Sequence, residues 1–212
     1  ISPEANPAEA VSFLKERFQA EQIPFELDSD SCVEEDWINN WKKYFKPIPV
    51  GEKLLIRPLW EDEYDAQGRT VLHLEPGLAF GTGTHETTRL CLELLERYVT
   101  PGIDFLDMGC GSGILSVAAL LLGAKSAVGV DIDPLAVKTA VENAATNRVA
   151  ERFSGICGNL AEKVTGKFQV VAANIVADIV IELSKDAPRF LTKDSTYIVS
   201  GIIDTREEDV IA

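Results

Sequence analysis

The apolar positions of the chain fall into two textures that divide near Gly51. Before it, Ala10, Val11, Leu14 and Phe18 recur at helical spacing and predict a helix over residues 7–18. A polar stretch at residues 28–31 follows. A second helix is then predicted over residues 34–45, with Trp37, Trp41, Tyr44 and Phe45 on one stripe and a stop at Pro47. Packing between two domains accounts for that aromatic stripe better than a ligand does. After Gly51, strands are predicted at residues 53–57 and 70–74, with turn chemistry between them at Asp65-Ala66-Gln67-Gly68. An unusual loop, residues 75–88, leads into a helix whose apolar face is read as Leu90, Cys91, Leu94, Leu95 and Tyr98.

Beyond Pro101 the pattern alternates. A strand at 103–108 precedes an apolar helix at 114–122 closed by Gly123, and a strand at 127–131 precedes a helix opened by Asp133 and Pro134. Strands follow at 153–157, 168–173 and 196–200, with a helix over 176–190. Strands separated by helices predict an α/β fold, a doubly wound and mostly parallel Rossmann-like sheet with right-handed crossovers. Such a sheet binds ligands at the carboxyl ends of its strands, beside the switch in strand order.

Candidate chemistry collects at those ends. Gly109, Gly111 and Gly113 lie between a strand and a helix, where they allow a tight turn and close approach of a ligand to the backbone. Their spacing is G-x-G-x-G, whereas the dinucleotide fingerprint is G-x-G-x-x-G. Asp107, two residues ahead, is expected at the mouth of the site, where a carboxylate disfavours a diphosphate and favours a cation. S-adenosyl-L-methionine (AdoMet) carries a sulfonium and an ammonium and no phosphate. Asp131, at the end of the next strand, can accept hydrogen bonds from both hydroxyls of a ribose. Helix capping is its bland alternative, but Asp133 already fills that role. Asn174 ends the apolar strand Val170-Val171-Ala172-Ala173; its carbonyl oxygen can hold an amine nucleophile, or its side chain can cap the next helix. Asn159 is a candidate for an edge contact to adenine and equally for a turn.

Composition adjusts this picture little. The chain has 212 residues and 46% apolar content, enough for one full core and a smaller appendage. No apolar run approaches the ~20 residues that cross a bilayer, and the start does not resemble a signal peptide. Cys32, Cys91, Cys110 and Cys157 lack metal-type spacing and read as reduced thiols of a cytoplasmic protein, with no metal site. With 34 acidic against 20 basic residues the net charge is −14, so direct nucleic-acid readout is not expected and a cationic partner fits better. The first residue is not methionine, and only the beginning of an element follows the last predicted strand, so a fragment is expected.

Together these residues resemble the class I AdoMet-dependent methyltransferases. The loop Glu75-Pro76-Gly77-Leu78-Ala79-Phe80-Gly81-Thr82-Gly83-Thr84-His85-Glu86-Thr87-Thr88 is more specific. It resembles the signature of PrmA, the bacterial ribosomal protein methyltransferase family that modifies large-subunit protein eleven. The segments 106–115, 129–134 and 173–177, and the aromatic segment from Trp37 to Pro47, match in order and spacing.

The resemblance implies a protein substrate, a basic ribosomal protein methylated on lysine side chains and its N-terminal amine. It implies that Thr88, Gly109, Asp131 with Ile132, and Asn174 touch the cofactor, and that Phe80 and the Gly81-Thr82-Gly83 loop cover it. It also implies a remnant of an N-terminal α+β recognition domain at 1–33, a linker helix at 34–48 and a methyltransferase domain at 49–212 whose final strands are truncated. No oligomeric state follows. His85 could act as a general base or order its loop, and the second reading is preferred. The alternatives are a methyltransferase of a nucleobase amine or small molecule, a nicotinamide oxidoreductase, and a non-enzymatic ribosome-binding module. Asn174 lacks a following Pro-Pro-aromatic, which places the nucleobase reading second.

Overall fold

The computed structural model describes Val11, Lys15, Arg17, Phe18, Pro24 and residues 46–75, 85–159 and 162–211. The chain divides into two compact units, Ile1–Tyr44 and Phe45–Ala212. In the first, Val11, Lys15, Arg17 and Phe18 are helical, as their spacing predicts. The aromatic helix expected at 34–45 and the loop residues 76–84 lie outside the described residues.

The second unit opens with a small sheet of β1 (Ile48–Val50), β2 (Leu54–Pro58) and β3 (Thr70–Leu74). β1 pairs antiparallel with β2, and β2 pairs parallel with β3. Pro49 hides β1 from a sequence reading, since it lacks an N–H; it is tolerated because β1 is an edge strand of this sheet. The Asp65–Gly68 turn is present, but it sits within a crossover between parallel strands and not in a hairpin.

The large sheet runs β6-β5-β4-β7-β8, all neighbours parallel. Its strands are β4 (Asp104–Met108), β5 (Ser126–Asp131), β6 (Phe153–Cys157), β7 (Phe168–Asn174) and β8 (Leu191–Ser200). The chain winds outward from β4 to β6, then returns to the other side of β4 for β7. The switch in strand order therefore lies between β4 and β7, the crevice where this architecture binds ligands.

Alternation along the strands sorts the two faces. Phe105, Ala127, Val170 and Ala172 share a core with α1 (Glu86–Tyr98), α2 (Ile114–Leu121) and the small sheet. Leu106, Met108, Val130, Val171 and Ala173 pack with Leu183 of α4 (Ala177–Asp186) and with Phe190. α3 (Pro134–Thr146) begins as expected, with Asp133 accepting from the Leu135 N–H and Pro134 in the first turn.

Two helix readings need correction. The buried stripe of α1 is Thr88, Cys91, Leu92 and Leu95, while Leu90, Leu94 and Tyr98 face outward. The apolar run Leu90–Leu95 satisfies either rotation, and the buried Thr88 hydroxyl selects this one through its tertiary bond to Asn174. The helix expected over 176–190 ends at Asp186 and continues as a 3-10 turn, Ala187–Arg189. Pro188 removes the N–H that would extend the α-helical ladder. β8 consequently starts at Leu191, five residues before the predicted strand.

Candidate active site

The turn from β4 into α2 is built by its glycines and tied from two sides. Gly109 and Cys110 both donate to the Val130 carbonyl, at 2.8 and 2.9 Å, which fastens the turn to β5. Gly109 has φ +76, and a Cβ there would fall 2.5 Å from Cγ2 of Ile175. Gly113, also at φ +76, packs on α3 so closely that a Cβ would meet that of Ala140 at 2.7 Å. Only glycine satisfies both the dihedral and the approach at these positions.

Asp131 is part of the same brace. Its Oδ2 accepts from the Gly111 N–H at 2.9 Å, and its Oδ1 from the Asp133 N–H at 3.0 Å. Each carboxylate oxygen has a second acceptor position, so hydroxyl donors can still be bound.

Asp107 departs from expectation. It is 1% exposed and lies beneath the turn, not at the mouth of the site. Its Oδ2 accepts from the Ser116 N–H at 3.1 Å and the Ser116 hydroxyl at 2.8 Å, in the first turn of α2, where a carboxylate suits the helix dipole. Burial nevertheless pushes its pKa up to about 7; the bonds to Ser116 oppose this and the charge of Asp131 adds to it.

Asn174 closes β7 directly across the switch point. Its Nδ2 donates to Thr88 Oγ1 at 3.2 Å, while its Oδ1 is buried with no hydrogen-bond partner among the described residues. It does not cap α4: the N-cap position is Val176, which makes no side-chain cap bond. Asn159 turns the chain after β6, accepting from the Glu162 N–H and donating to the Glu162 carboxylate at 3.3 Å. His85 caps α1, its Nδ1 accepting from the Thr87 N–H, so it orders the helix entry.

A cavity of about 860 Å³ opens over these elements. Gly109, Asp131, Ile132, Asn159 and Asn174 line it, whereas Thr88, Asp107, Gly111 and Gly113 form the layer that supports the lining. Phe80 and Thr82 lie outside the described residues. The sequence reading missed the wall supplied by α4, with Ile179, Glu182, Leu183 and Asp186, and the lip at Gly201-Ile202-Ile203. Ile203 is 66% exposed and Val176 64% exposed; apolar residues straight after strand ends are the signal that could have found this rim.

The donors fit AdoMet. Asp131, Glu162, Glu182 and Asp186 line the cavity, and among the described lining residues there is no lysine or arginine. That charge pattern repels a diphosphate and suits a sulfonium and an ammonium over a turn whose backbone is bare.

A five-stranded parallel sheet with helices on both faces and this glycine turn at its switch point is the class I methyltransferase fold. The family model for "Ribosomal protein L11 methyltransferase (PrmA)" matches residues 3–212, and the chain belongs to that family. The ribosomal protein L11 methyltransferase of Clostridium perfringens (strain SM101 / Type A) is 45% identical over 218 residues, covering 100% of this chain and 69% of the relative. The crystal structure of ribosomal protein L11 methylase from Lactobacillus delbrueckii subsp. bulgaricus superposes with a TM-score of 0.74 at 35% identity. That match covers 79% of this chain and 86% of the other. A precorrin-6y C5,15-methyltransferase from Geobacter metallireducens GS-15 shares the fold alone, with TM-score 0.52 at 13% identity over 59% of this chain and 69% of its own. The chain is thus a methyltransferase whose methyl donor is AdoMet. Among the described residues, no helix is long and apolar enough to cross a membrane.

Proposed function

We propose that the protein transfers methyl groups from AdoMet to amines of a ribosomal protein, namely lysine side chains and the N-terminal α-amine, with Asn174 holding the amine. The observation that carries this reading is the fixed amide of Asn174. Thr88 takes up its donor end, which leaves the Oδ1 of this cavity-lining residue as a buried acceptor with no partner among the described residues. A neutral acceptor can take one N–H of an amine and aim the nitrogen lone pair, and alignment is most of what an in-line displacement requires.

AdoMet supplies an electrophilic methyl when bound. Asp131 would accept from the ribose hydroxyls, Ile132 would cover an apolar ring face, and Asn159 would meet the adenine edge. Gly109 would lie against the cofactor where no Cβ intervenes. Thr88 would set the amide, and Asp107, Gly111 and Gly113 would hold the turn in shape. Phe80 and Thr82 belong to this reading as a cover supplied by the loop.

An ammonium must lose a proton before it attacks, and an unperturbed lysine titrates at about 10.4. His85 is poorly suited to take that proton. With Nδ1 accepting from the Thr87 N–H, the neutral ring carries its hydrogen on Nε2 and offers no lone pair there. Proton loss to water fits better, and Glu162, Glu182 and Asp186 favour a basic substrate around the cavity. Residues 1–33 as a recognition segment, 34–48 as a linker helix and 49–212 as the catalytic domain complete the reading; the division into two compact units supports such an organisation. A cytoplasmic location accords with a ribosomal substrate.

The test is to incubate the protein with labelled AdoMet and a ribosomal protein mixture, then locate the label by mass. Label on amines of one basic ribosomal protein is expected. Asn174→Ala should lower kcat about a hundredfold while leaving AdoMet affinity within about threefold, because the lost contact is to the reacting amine. Label only on RNA or on a small metabolite would overturn the reading.

A further inference from the structure

We propose that Asn143 is a positioning residue which couples the glycine turn of the cofactor site to the root of the loop that begins at Glu75. The inference rests on the reading of the cavity as the AdoMet site. Asn143 lies on α3, one turn after the Ala140 that Gly113 touches, and is 2% exposed. Its Nδ2 donates to the Ser112 carbonyl at 2.9 Å and its Oδ1 accepts from the Glu75 N–H at 3.3 Å. A single buried amide thereby joins segments 31 and 68 residues away from it.

The position of that bond in the turn gives it leverage. The Ser112 carbonyl shares a rigid peptide plane with the Gly113 N–H, which donates to Cys110 O at 2.7 Å. Holding the carbonyl therefore holds the last hinge of the turn before α2. The neighbouring Gly111 N–H is held by Asp131. Beyond its bonds to the Val130 carbonyl, the turn is thus held by two side chains, the ligand-facing Asp131 and the buried Asn143. Whatever displaces Glu75 must break its bond to Asn143 or move Asn143 with it, and in the second case the same amide shifts its hold on the Ser112 carbonyl.

Asn147, one helical turn further on, provides the contrast. Its Oδ1 accepts from the His73 N–H at 2.8 Å and its Nδ2 donates to the His73 carbonyl at 2.6 Å. That arrangement completes the edge of β3 as a neighbouring strand would; Nδ2 also donates to the Asn143 backbone carbonyl at 2.8 Å, but the side chain touches neither the turn nor Glu75. If Asn143 served only to satisfy buried backbone groups, removing either amide would have the same kind of consequence.

The experiment measures AdoMet affinity by calorimetry and stability by urea unfolding for wild type, Asn143→Ala and Asn147→Ala. Both variants are expected to lose stability. Only Asn143→Ala should weaken AdoMet, by about tenfold, with Asn147→Ala staying within about twofold. An unchanged affinity in Asn143→Ala, or equal losses in both variants, would overturn the proposal. Hydrogen exchange on the wild type keeps it testable should a variant not fold. AdoMet should slow exchange of the Glu75 amide and leave that of His73 unchanged; no effect at Glu75 would overturn the coupling. Failure of the wild type to bind AdoMet at all would instead overturn the reading of the site.

Discussion

Replacing Asp107 by asparagine should change stability in a way that depends on pH, with the gap from wild type widening as pH rises. In the folded protein this carboxyl is 1% exposed, and burial lifts its pKa from 3.8 to about 7 despite two bonds from Ser116. In the unfolded chain it returns to its ordinary value. Between those two values the native state keeps a proton that the unfolded state has lost, so stability falls as pH rises through this window and levels above it. Below the ordinary value both states are protonated and the group contributes nothing. At 1.36 kcal/mol per pH unit, the rise from 3.8 to about 7 costs about 4 kcal/mol by about pH 8 and about 2 kcal/mol at about pH 5.5. Asparagine carries no charge to bury, but it binds Ser116 less strongly and brings an amide donor of its own, a penalty of about 1–2 kcal/mol at every pH. The variant should therefore be close to wild type at about pH 5.5 and about 2–3 kcal/mol more stable at about pH 8. The assay is urea unfolding at several pH values above the sequence isoelectric point of 4.6, where solubility is not limiting. Taking the difference between the two proteins cancels the other titrating carboxylates. A difference that stays flat across the range would refute the buried, hard-to-ionise carboxyl beneath the turn. The same logic extends to binding: a cationic ligand over the turn favours the ionised form, so AdoMet should bind wild type more tightly as pH rises and Asp107→Asn should lack that gain.

Two further substitutions probe the layer that lines the cavity. Asp131→Ala should weaken AdoMet by about 1–3 kcal/mol, since ribose hydroxyls lose their acceptor and the Gly111 and Asp133 amides lose theirs; unchanged affinity in a calorimetric titration would remove Asp131 from the ribose assignment. Gly109→Ala places a Cβ 2.5 Å from Ile175 Cγ2 at φ +76, so it should destabilise by about 1–3 kcal/mol and weaken cofactor binding at least tenfold. A variant as stable as wild type, by urea unfolding, would show that the turn has more freedom than its geometry allows.

The features that could be read from the chain are those whose cause is local. Three glycines between a strand and a helix, and Asp133 ahead of Pro134, carry their conformation in their own residues, and the structure has both where the spacing puts them. The parallel sheet and its switch point followed from strands alternating with helices, and the loop from Glu75 to Thr88 pointed to the family that the whole-chain match shows. What could not be read depends on a partner in another element. Asp107 has a sequence position at a strand end that suggests the mouth of a site. Alternation along β4 puts its carboxyl on the face of Phe105, and what buries it there is the first turn of α2, nine residues later, where Ser116 supplies both donors.

The rotation of α1 follows the same rule and bears on the site. Leu90, Cys91, Leu92, Leu94 and Leu95 make an apolar run dense enough to bury any of several faces, so periodicity alone cannot choose among them. The choice falls to the one polar residue that must be inside. Thr88 is 0% exposed and 86 residues from the Asn174 amide it receives. Burying an unpaired hydroxyl would cost about 1–3 kcal/mol, comparable to what one more exposed leucine forfeits, and the bond tips the balance. Leu90 stands 57% exposed as the consequence. The contact that orients the Asn174 amide therefore also sets the rotation of the helix beside it.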